Sequence, residues 1–346
     1  MRKSFHHLAT LPVALTLCAG LISLGGSCKT EAPKPDAKAP EAPAATPAAE
    51  PEAEAEAAAG GGSGVAGAEL GDEALARTLP GVKVEGLDEK ARASLLKVAE
   101  DAVCDCGRPS TLGGCLRDPN PCELGRRMAD LSVLLLKAGA KPGEAVSFTE
   151  EYFEGFKPAR RKTFEVAEAA CKGPKDAPIQ LVEFADFECP YCGITWPLFG
   201  DIVDSLKGKA RLCFLNFPLS QHENAREAAQ LTVMAREQGK FEQAADLLFA
   251  NQTQLDRKSL LDHADTLGLD RAAVSKALEE GKYDAVVEAE RKQGQAAGIE
   301  GTPSLFINGR SYTLLLDAAM ILRAIQDELD WQAGGEQWSK PGSAQK

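Results

Sequence analysis

Apolar and polar positions follow two different periods along this chain, and the change of period divides it. Between residues 79 and 160 apolar side chains recur every three or four positions, the spacing of half-buried helices. Asp88 is placed to cap the first of these, on which Leu87, Ala91, Leu95, Val98 and Ala102 share a face. A second helix is expected over about 123–138, with Leu124, Met128, Leu131 and Leu134 on one side, and a shorter third over about 143–154. From about residue 163 the period changes. Residues 179–185 and 210–216 read as apolar strands, and a helix between them would start near Cys189. Helical pattern then dominates residues 222–297, with breaks near Gln252, Gly268 and Gly281 and with Asp256 and Asp270 at capping positions. Residues 304–307 form a further strand leading into Asn308-Gly309, a hairpin turn signal. The next strand is expected near residues 312–315 and a last helix over about 317–331.

The beginning of the chain follows neither period. Arg2 and Lys3 precede an apolar stretch from Leu8 to Leu24, broken by Pro12 and Gly20. It is short for a spanning helix and reads as a secretory signal. Its end, Leu24-Gly25-Gly26-Ser27-Cys28, resembles a bacterial lipobox, although Gly25 stands where that pattern has an apolar residue. The resemblance implies cleavage before Cys28 and its lipidation. Lys29 lacks the acidic character that, by resemblance to other lipoproteins, would hold the protein at the inner membrane, so the outer membrane is the expected anchor site, facing the periplasm. From Thr30 to Gly64 there are 13 Ala, 6 Pro, seven acidic and two basic residues, a composition that buries too little surface to offset chain entropy. The expected organisation is a signal over residues 1–28, a disordered linker over 29–78, a small helical Cys-rich domain over 79–160, an α/β domain over 161–332 and a flexible tail over 333–346.

Charge and motifs narrow the chemistry. Lys and Arg total 39 against 51 Asp and Glu, a net charge of −12, which argues against nucleic acid as a partner. No GxSxG motif supports a hydrolase. Ten cysteines are many for a cytosolic protein of this length. Two of them, in Cys189-Pro190-Tyr191-Cys192, follow a strand and open a helix. A thiol at a helix N-terminus meets unpaired N–H groups and the positive end of the macrodipole, both of which favour thiolate over thiol. Two intervening residues place the second sulfur within reach of a disulfide. Pro190 is tolerated in the first turn because its missing N–H would have no helical partner. Cys189 is thus the expected nucleophile and Cys192 the resolving thiol. The same spacing also occurs in zinc sites.

Two further features bear on that choice. Glu183 interrupts an apolar strand six residues before Cys189, where a charge is costly. Alternation sets it on the face of Leu181 and Ala185, from which it could relay the proton of Cys192; a surface carboxylate on an edge strand is the alternative. Thr302-Pro303 opens the strand at residue 304, placed like the cis-proline that faces a CxxC in thioredoxin folds; a trans proline that only ends the preceding loop is the alternative.

Taken together, Gly173-Pro-Lys-Asp-Ala-Pro178, Val182-Glu-Phe-Ala-Asp-Phe-Glu-Cys-Pro-Tyr-Cys192, Phe217-Pro-Leu219 with His222, Gln238-Gly-Lys-Phe241, Leu267-Gly-Leu-Asp270 and Gly301-Thr-Pro303 with Phe306-Ile-Asn-Gly-Arg310 resemble the DsbA-like thiol:disulfide oxidoreductases. The likeness covers about residues 163–331. It implies a thioredoxin fold with a helical insertion over about 220–297 and an enzyme that needs no cofactor or metal. It implies that Cys189 attacks, Cys192 resolves and Glu183 is a buried acid, with Pro190, Tyr191, Thr302 and cis-Pro303 lining the substrate site. The implied partners are thiols of unfolded exported proteins and a membrane redox protein of DsbB or VKOR type. Tyr191 departs from the His of the best-known members. An uncharged residue there would stabilise the reduced form less and make a weaker oxidant, which leaves a reductase or isomerase as an open alternative. A binding or chaperone module with a structural or metal-bound CxxC is the reading from a different class.

Cys104, Cys106, Cys115 and Cys122 lie in a Gly/Pro-rich turn region and are expected to form two structural disulfides. A bond between Cys104 and Cys106 would close a very small ring. Both remaining pairings stay open, as do a four-thiolate zinc site and an auxiliary redox pair. This segment also resembles the small helical domain of cytochrome c maturation proteins. Cys171 and Cys213 are placed to pair with one another; Cys213 would also fit as a buried free thiol.

Overall fold

The structure is a computed structural model, and it describes residues 72–338. Cys28 and the expected linker up to residue 71 lie outside the described residues. The first element, helix α1 (Asp72–Thr78), falls inside the stretch expected to be linker. Leu75 and Leu79, one helical turn apart, are buried, so packing begins before the low-complexity reading allows.

Helix α2 (Glu89–Asp101) starts where expected, with the Asp88 carboxylate accepting from the Ala91 N–H at 2.7 Å. A hairpin, β1 (Val103–Asp105) and β2 (Pro109–Thr111), and a short helix α3 (Leu112–Arg117) follow. Each is shorter than the window in which a period can be read, so periodicity predicted none of them. Helices α4 (Glu123–Lys137) and α5 (Pro142–Glu154) pack with α2 and complete this part. Here Cys104 is bonded to Cys115 and Cys106 to Cys122. All four sulfurs lie within 4.8 Å of one another. Gly125 makes room for them, since a Cβ there would stand 3.1 Å from Cys115 Cβ and 3.5 Å from Cys104 Sγ.

The second part runs β3 (Cys171–Lys172), β4 (Ile179–Ala185), α6 (Pro190–Ser205) and β5 (Ala210–Asn216). Five helices follow: α7 (Ala225–Glu237), α8 (Phe241–Ala250), α9 (Arg257–Thr266), α10 (Arg271–Glu279) and α11 (Asp284–Ala297). Then come β6 (Ser304–Ile307), β7 (Arg310–Ser311) and α12 (Ala318–Ala333). The insertion has one break more than expected, at Gly239, whose φ of +69° suits glycine. Strand β7 lies directly after the Asn308-Gly309 turn rather than at 312–315, because both turn residues take positive φ and reverse the chain in two residues.

The sheet order is β3-β5-β4-β6-β7, with β4 and β5 parallel and the other pairs antiparallel. Strands β4 and β5 are covered on both sides, which is why they read as nearly unbroken apolar runs. One face, with Leu181, Ala185, Phe214 and Ile307, packs under α6 and α12. The other carries Val182, Phe184, Cys213, Leu215 and Phe306, covered by Phe164 and α11. A disulfide between Cys171 and Cys213 ties β3 to β5. This is a thioredoxin fold with its helical insertion between β5 and β6.

Helix α12 joins the two parts. Arg127 of α4 reaches Asp327 at 2.5 Å and Asp330 at 2.8 Å, and the Tyr152 hydroxyl donates to Asp327 at 2.8 Å. Arg161 grips Glu328 with two hydrogen bonds of 2.8 and 3.1 Å. The fully buried Arg310 lies over the rings of Tyr152 and Phe156, beside Glu328. Residues 333–338 belong to the stretch expected as a flexible tail, yet Trp338 packs edge-on against Phe153 and Phe156. Among the described residues no helix is long and apolar enough to cross a membrane.

Gly294 of α11 offers a test of this packing. A Cβ there would sit 2.6 and 2.7 Å from ring carbons of Phe217 and 3.0 Å from Phe184. Gly294→Ala should destabilise the fold by about 1–3 kcal/mol through overpacking, despite the gain in helix propensity. Chemical denaturation measures this, and an unchanged or raised midpoint would contradict the packing described.

Candidate active site at the N-terminus of helix α6

Cys189 is the N-cap residue of α6, in extended conformation, and Pro190 opens the helix. The Cys189 carbonyl accepts from the N–H groups of Cys192 (3.1 Å) and Gly193 (3.3 Å), so the Cys189–Cys192 segment is the first turn itself. Both cysteines are free thiols, and both are buried. Across the site the Thr302–Pro303 peptide bond is cis. The Cys189 thiol donates to the Thr302 carbonyl at 3.3 Å. The structure therefore brings Cys189, Cys192, Thr302 and Pro303 together. Pro190 and Tyr191 ride on the same turn, and Tyr191 and Ile194 are 70% and 66% exposed, an unusual level for such side chains beside a buried thiol. A cleft of about 270 Å³ adjoins, lined by Pro303, Ser304, Leu314 and Leu316 among others.

Glu183 is buried in β4 beneath this turn, not on an edge strand. One carboxylate oxygen accepts from the Thr195 hydroxyl at 3.1 Å, and the other has no protein partner. Burial pushes its pKa from 4.5 up to about 8, only partly opposed by Thr195. Burial also pushes the Cys192 thiol up, and the nearby Glu183 carboxylate adds to the effect. Thr195 stands one helical turn after Cys192 and also donates to its carbonyl at 3.3 Å.

Polar bonds between the β4–α6 segment and the insertion hold the turn, and sequence reasoning missed most of them. Asp186 is buried, accepts from the N–H groups of Glu188 and Leu219 at 2.8 Å each, and pairs with His222 Nδ1 at 2.7 Å. Glu188 accepts from the N–H groups of Asn224 (2.6 Å) and Ala225 (2.8 Å), capping α7 from a distance. Gln252 donates from its amide nitrogen to the carbonyls of Phe187 at 2.9 Å and Cys189 at 2.7 Å. Gly193 is required beside it, because a Cβ there would overlap the Gln252 side chain. The two acids flanking Phe187 were a local signal of this ring. Gln252 gave none, because its partners lie more than sixty positions away.

Among the described residues, Cys104, Cys106, Cys115 and Cys122 are the group close enough to hold a metal ion. Paired as disulfides they have no thiolate to offer one.

Residues 166–327 match the family model described as thioredoxin. A Na(+)/H(+) antiporter, NhaA 3 of Salinispora tropica, is 34% identical over 142 residues, which cover 41% of this chain and 22% of the antiporter. The chain thus spans under a quarter of the length of that curated relative. Among solved structures, BdbD from Bacillus subtilis (oxidised) is 22% identical with a TM-score of 0.44, over 49% of this chain and 98% of its own. Pseudomonas aeruginosa DsbA2 is 30% identical with a TM-score of 0.40, over 49% of this chain and 97% of its own. Residues 166–327, which match the thioredoxin model, carry the CxxC on the first turn of α6, the cis-proline opposite it and the helical insertion between β5 and β6, the arrangement of a thioredoxin-like thiol:disulfide oxidoreductase domain.

Proposed function

We propose that the chain catalyses dithiol–disulfide exchange with thiols of unfolded exported proteins, in the direction of disulfide formation. The observation that supports this best is the Cys189 thiol, set at a helix N-terminus and 3.3 Å from the carbonyl that precedes cis-Pro303. In the oxidised enzyme a substrate thiolate attacks Cys189 Sγ. The Cys189–Cys192 bond breaks and Cys192 leaves as a thiolate. A second substrate thiolate then attacks the substrate sulfur of the mixed disulfide, releasing Cys189 as a thiolate at the positive end of the α6 dipole. Two electrons pass to the enzyme and the substrate gains a disulfide.

Glu183 handles the proton of Cys192. With a pKa of about 8 it is a neutral acid near pH 7, able to protonate the departing Cys192 thiolate and to take the proton back when the disulfide re-forms. Pro190, Tyr191, Thr302 and Pro303 line the substrate site, and exposed Leu315 and Leu316 extend an apolar rim suited to unfolded chains. Asp186, Glu188 and Gln252 act as positioning residues. A membrane redox partner of DsbB or VKOR type reoxidises the pair, and lipidated Cys28 holds the protein on a membrane facing the periplasm, the outer membrane by the Lys29 argument. Tyr191 favours a second reading, a reductase or isomerase, because an uncharged side chain there does little to stabilise the reduced form.

Two outcomes test the mechanism. Cys189→Ser should abolish exchange, whereas Cys192→Ser should accumulate mixed disulfides through Cys189, visible as adducts on non-reducing gels and by mass. Adducts on Cys192 in the Cys189→Ser protein, and none on Cys189, would reverse the assignment.

The second is a pH dependence. Between pH 4.5 and about 8 the folded chain keeps a proton on Glu183 that the unfolded chain has released. That contribution to stability is complete below 4.5 and is lost as pH rises through the window. Glu183→Gln should lack the decline, so the stability gap between variant and wild type should widen in the variant's favour from pH 5 to pH 8. Parallel curves would show that Glu183 does not titrate as described. The same variant should slow formation of the mixed disulfide by the oxidised enzyme, because the glutamine amide has no acidic proton to give the departing Cys192 thiolate.

A further inference from the structure

The disulfide between Cys171 and Cys213 lies on the opposite face of the sheet from Cys189 and Cys192. Its surroundings differ from those of a bond that only staples strands. Arg211, two residues before Cys213 on β5, is 4% exposed and turns its guanidinium onto both sulfurs. Nη2 lies 2.7 Å from Cys171 Sγ and 3.1 Å from Cys213 Sγ, and Nε lies 3.2 Å from Cys213 Sγ. The Gln180 amide adds a donor at 3.7 Å from Cys213 Sγ. The other partners of Arg211 are the Lys175 carbonyl at 3.1 Å and Glu168 at 3.2 Å. Glu168 is 54% exposed, so water screens its charge, while the guanidinium stays buried against the sulfurs.

A disulfide makes poor use of such donors, because its sulfurs are neutral and weak acceptors. Two thiolates would use them fully. A buried cation beside a thiolate lowers the thiol pKa and stabilises the reduced form, which raises the reduction potential of the pair. Access is one-sided. Cys171 sits on the two-residue edge strand β3 and is partly exposed, whereas Cys213 is fully buried. The sheet separates this pair from Cys189, so reduction must come from outside.

We propose that Cys171–Cys213 is a second redox-active disulfide, reduced by small-molecule thiols and tuned by Arg211. A thiolate such as that of glutathione attacks Cys171 Sγ, the Cys171–Cys213 bond breaks, and Cys213 leaves as a thiolate held by Nε and Nη2 of Arg211. A second glutathione thiolate attacks the glutathione sulfur of the mixed disulfide, forming oxidised glutathione and releasing Cys171 as a thiolate. Two electrons enter the pair and two glutathiones are oxidised. This inference does not depend on the reading of Cys189.

The test uses the full chain with Cys189→Ser and Cys192→Ser, equilibrated in glutathione buffers of graded ratio, with the state of Cys171 and Cys213 read by alkylation and mass spectrometry. The pair should titrate within the range of these buffers. Adding Arg211→Met should make the disulfide persist to a reduced-to-oxidised ratio about tenfold higher or more, and Arg211→Lys, which keeps the charge, should recover much of the shift. A pair that stays oxidised at every ratio while the protein is folded would overturn the proposal, whatever Arg211→Met does to folding. So would an Arg211→Met midpoint equal to that of its parent.

Discussion

The approach of the Cys189 thiol to the Thr302 carbonyl, at 3.3 Å and across 113 positions of sequence, is the constraint around which the rest is arranged. It needs β4 and β6 side by side, so that the loop after one faces the loop before the other. The antiparallel register of Val182 with Phe306 and Glu183 with Leu305 supplies that. It also needs α6 to begin at Cys189 and not a residue later. Pro190 sets the start of the helix by having no N–H to bond backward.

The insertion acts as a brace on this turn. Glu188 caps α7, Asp186 holds Leu219 and His222, Gln252 ties down two carbonyls of the turn, and Trp196 donates to Asp246 of α8 at 2.6 Å. Most of these bonds join a side chain to backbone, so they fix chain geometry more than they add net stability. Glu183 is a buried acid with one oxygen unpartnered, and burial holds its pKa well above the usual carboxylate range.

What was legible in the sequence is what local chemistry encodes. The strand before Cys189, the helix after it and the capping role of Asp88, Asp256 and Asp270 depend on neighbours a few positions away, and each lies where it was expected. Glu183 stood out because a charge in an apolar strand has few explanations. Gln252 and Thr195 did not, since an amide or hydroxyl on a helical stretch is ordinary until its partner is known. Helix α1 and the packed Trp338 were misread for the same reason: composition near each is small and polar, and only distant contacts bury them. Nothing local marked Arg127, which joins the helical part to α12, because its partners Asp327 and Asp330 lie 200 and 203 positions along the chain.

The most direct test of the account is the equilibrium of the Cys189–Cys192 pair with glutathione, read by the alkylation state of those two cysteines. A helix N-terminus that stabilises the reduced form, without help from a charged residue at Tyr191, predicts a single two-electron couple. Its potential should lie between the about −120 mV of DsbA and the about −270 mV of thioredoxin. Cysteines that remain free thiols under every oxidising ratio, or that titrate independently of each other, would contradict it.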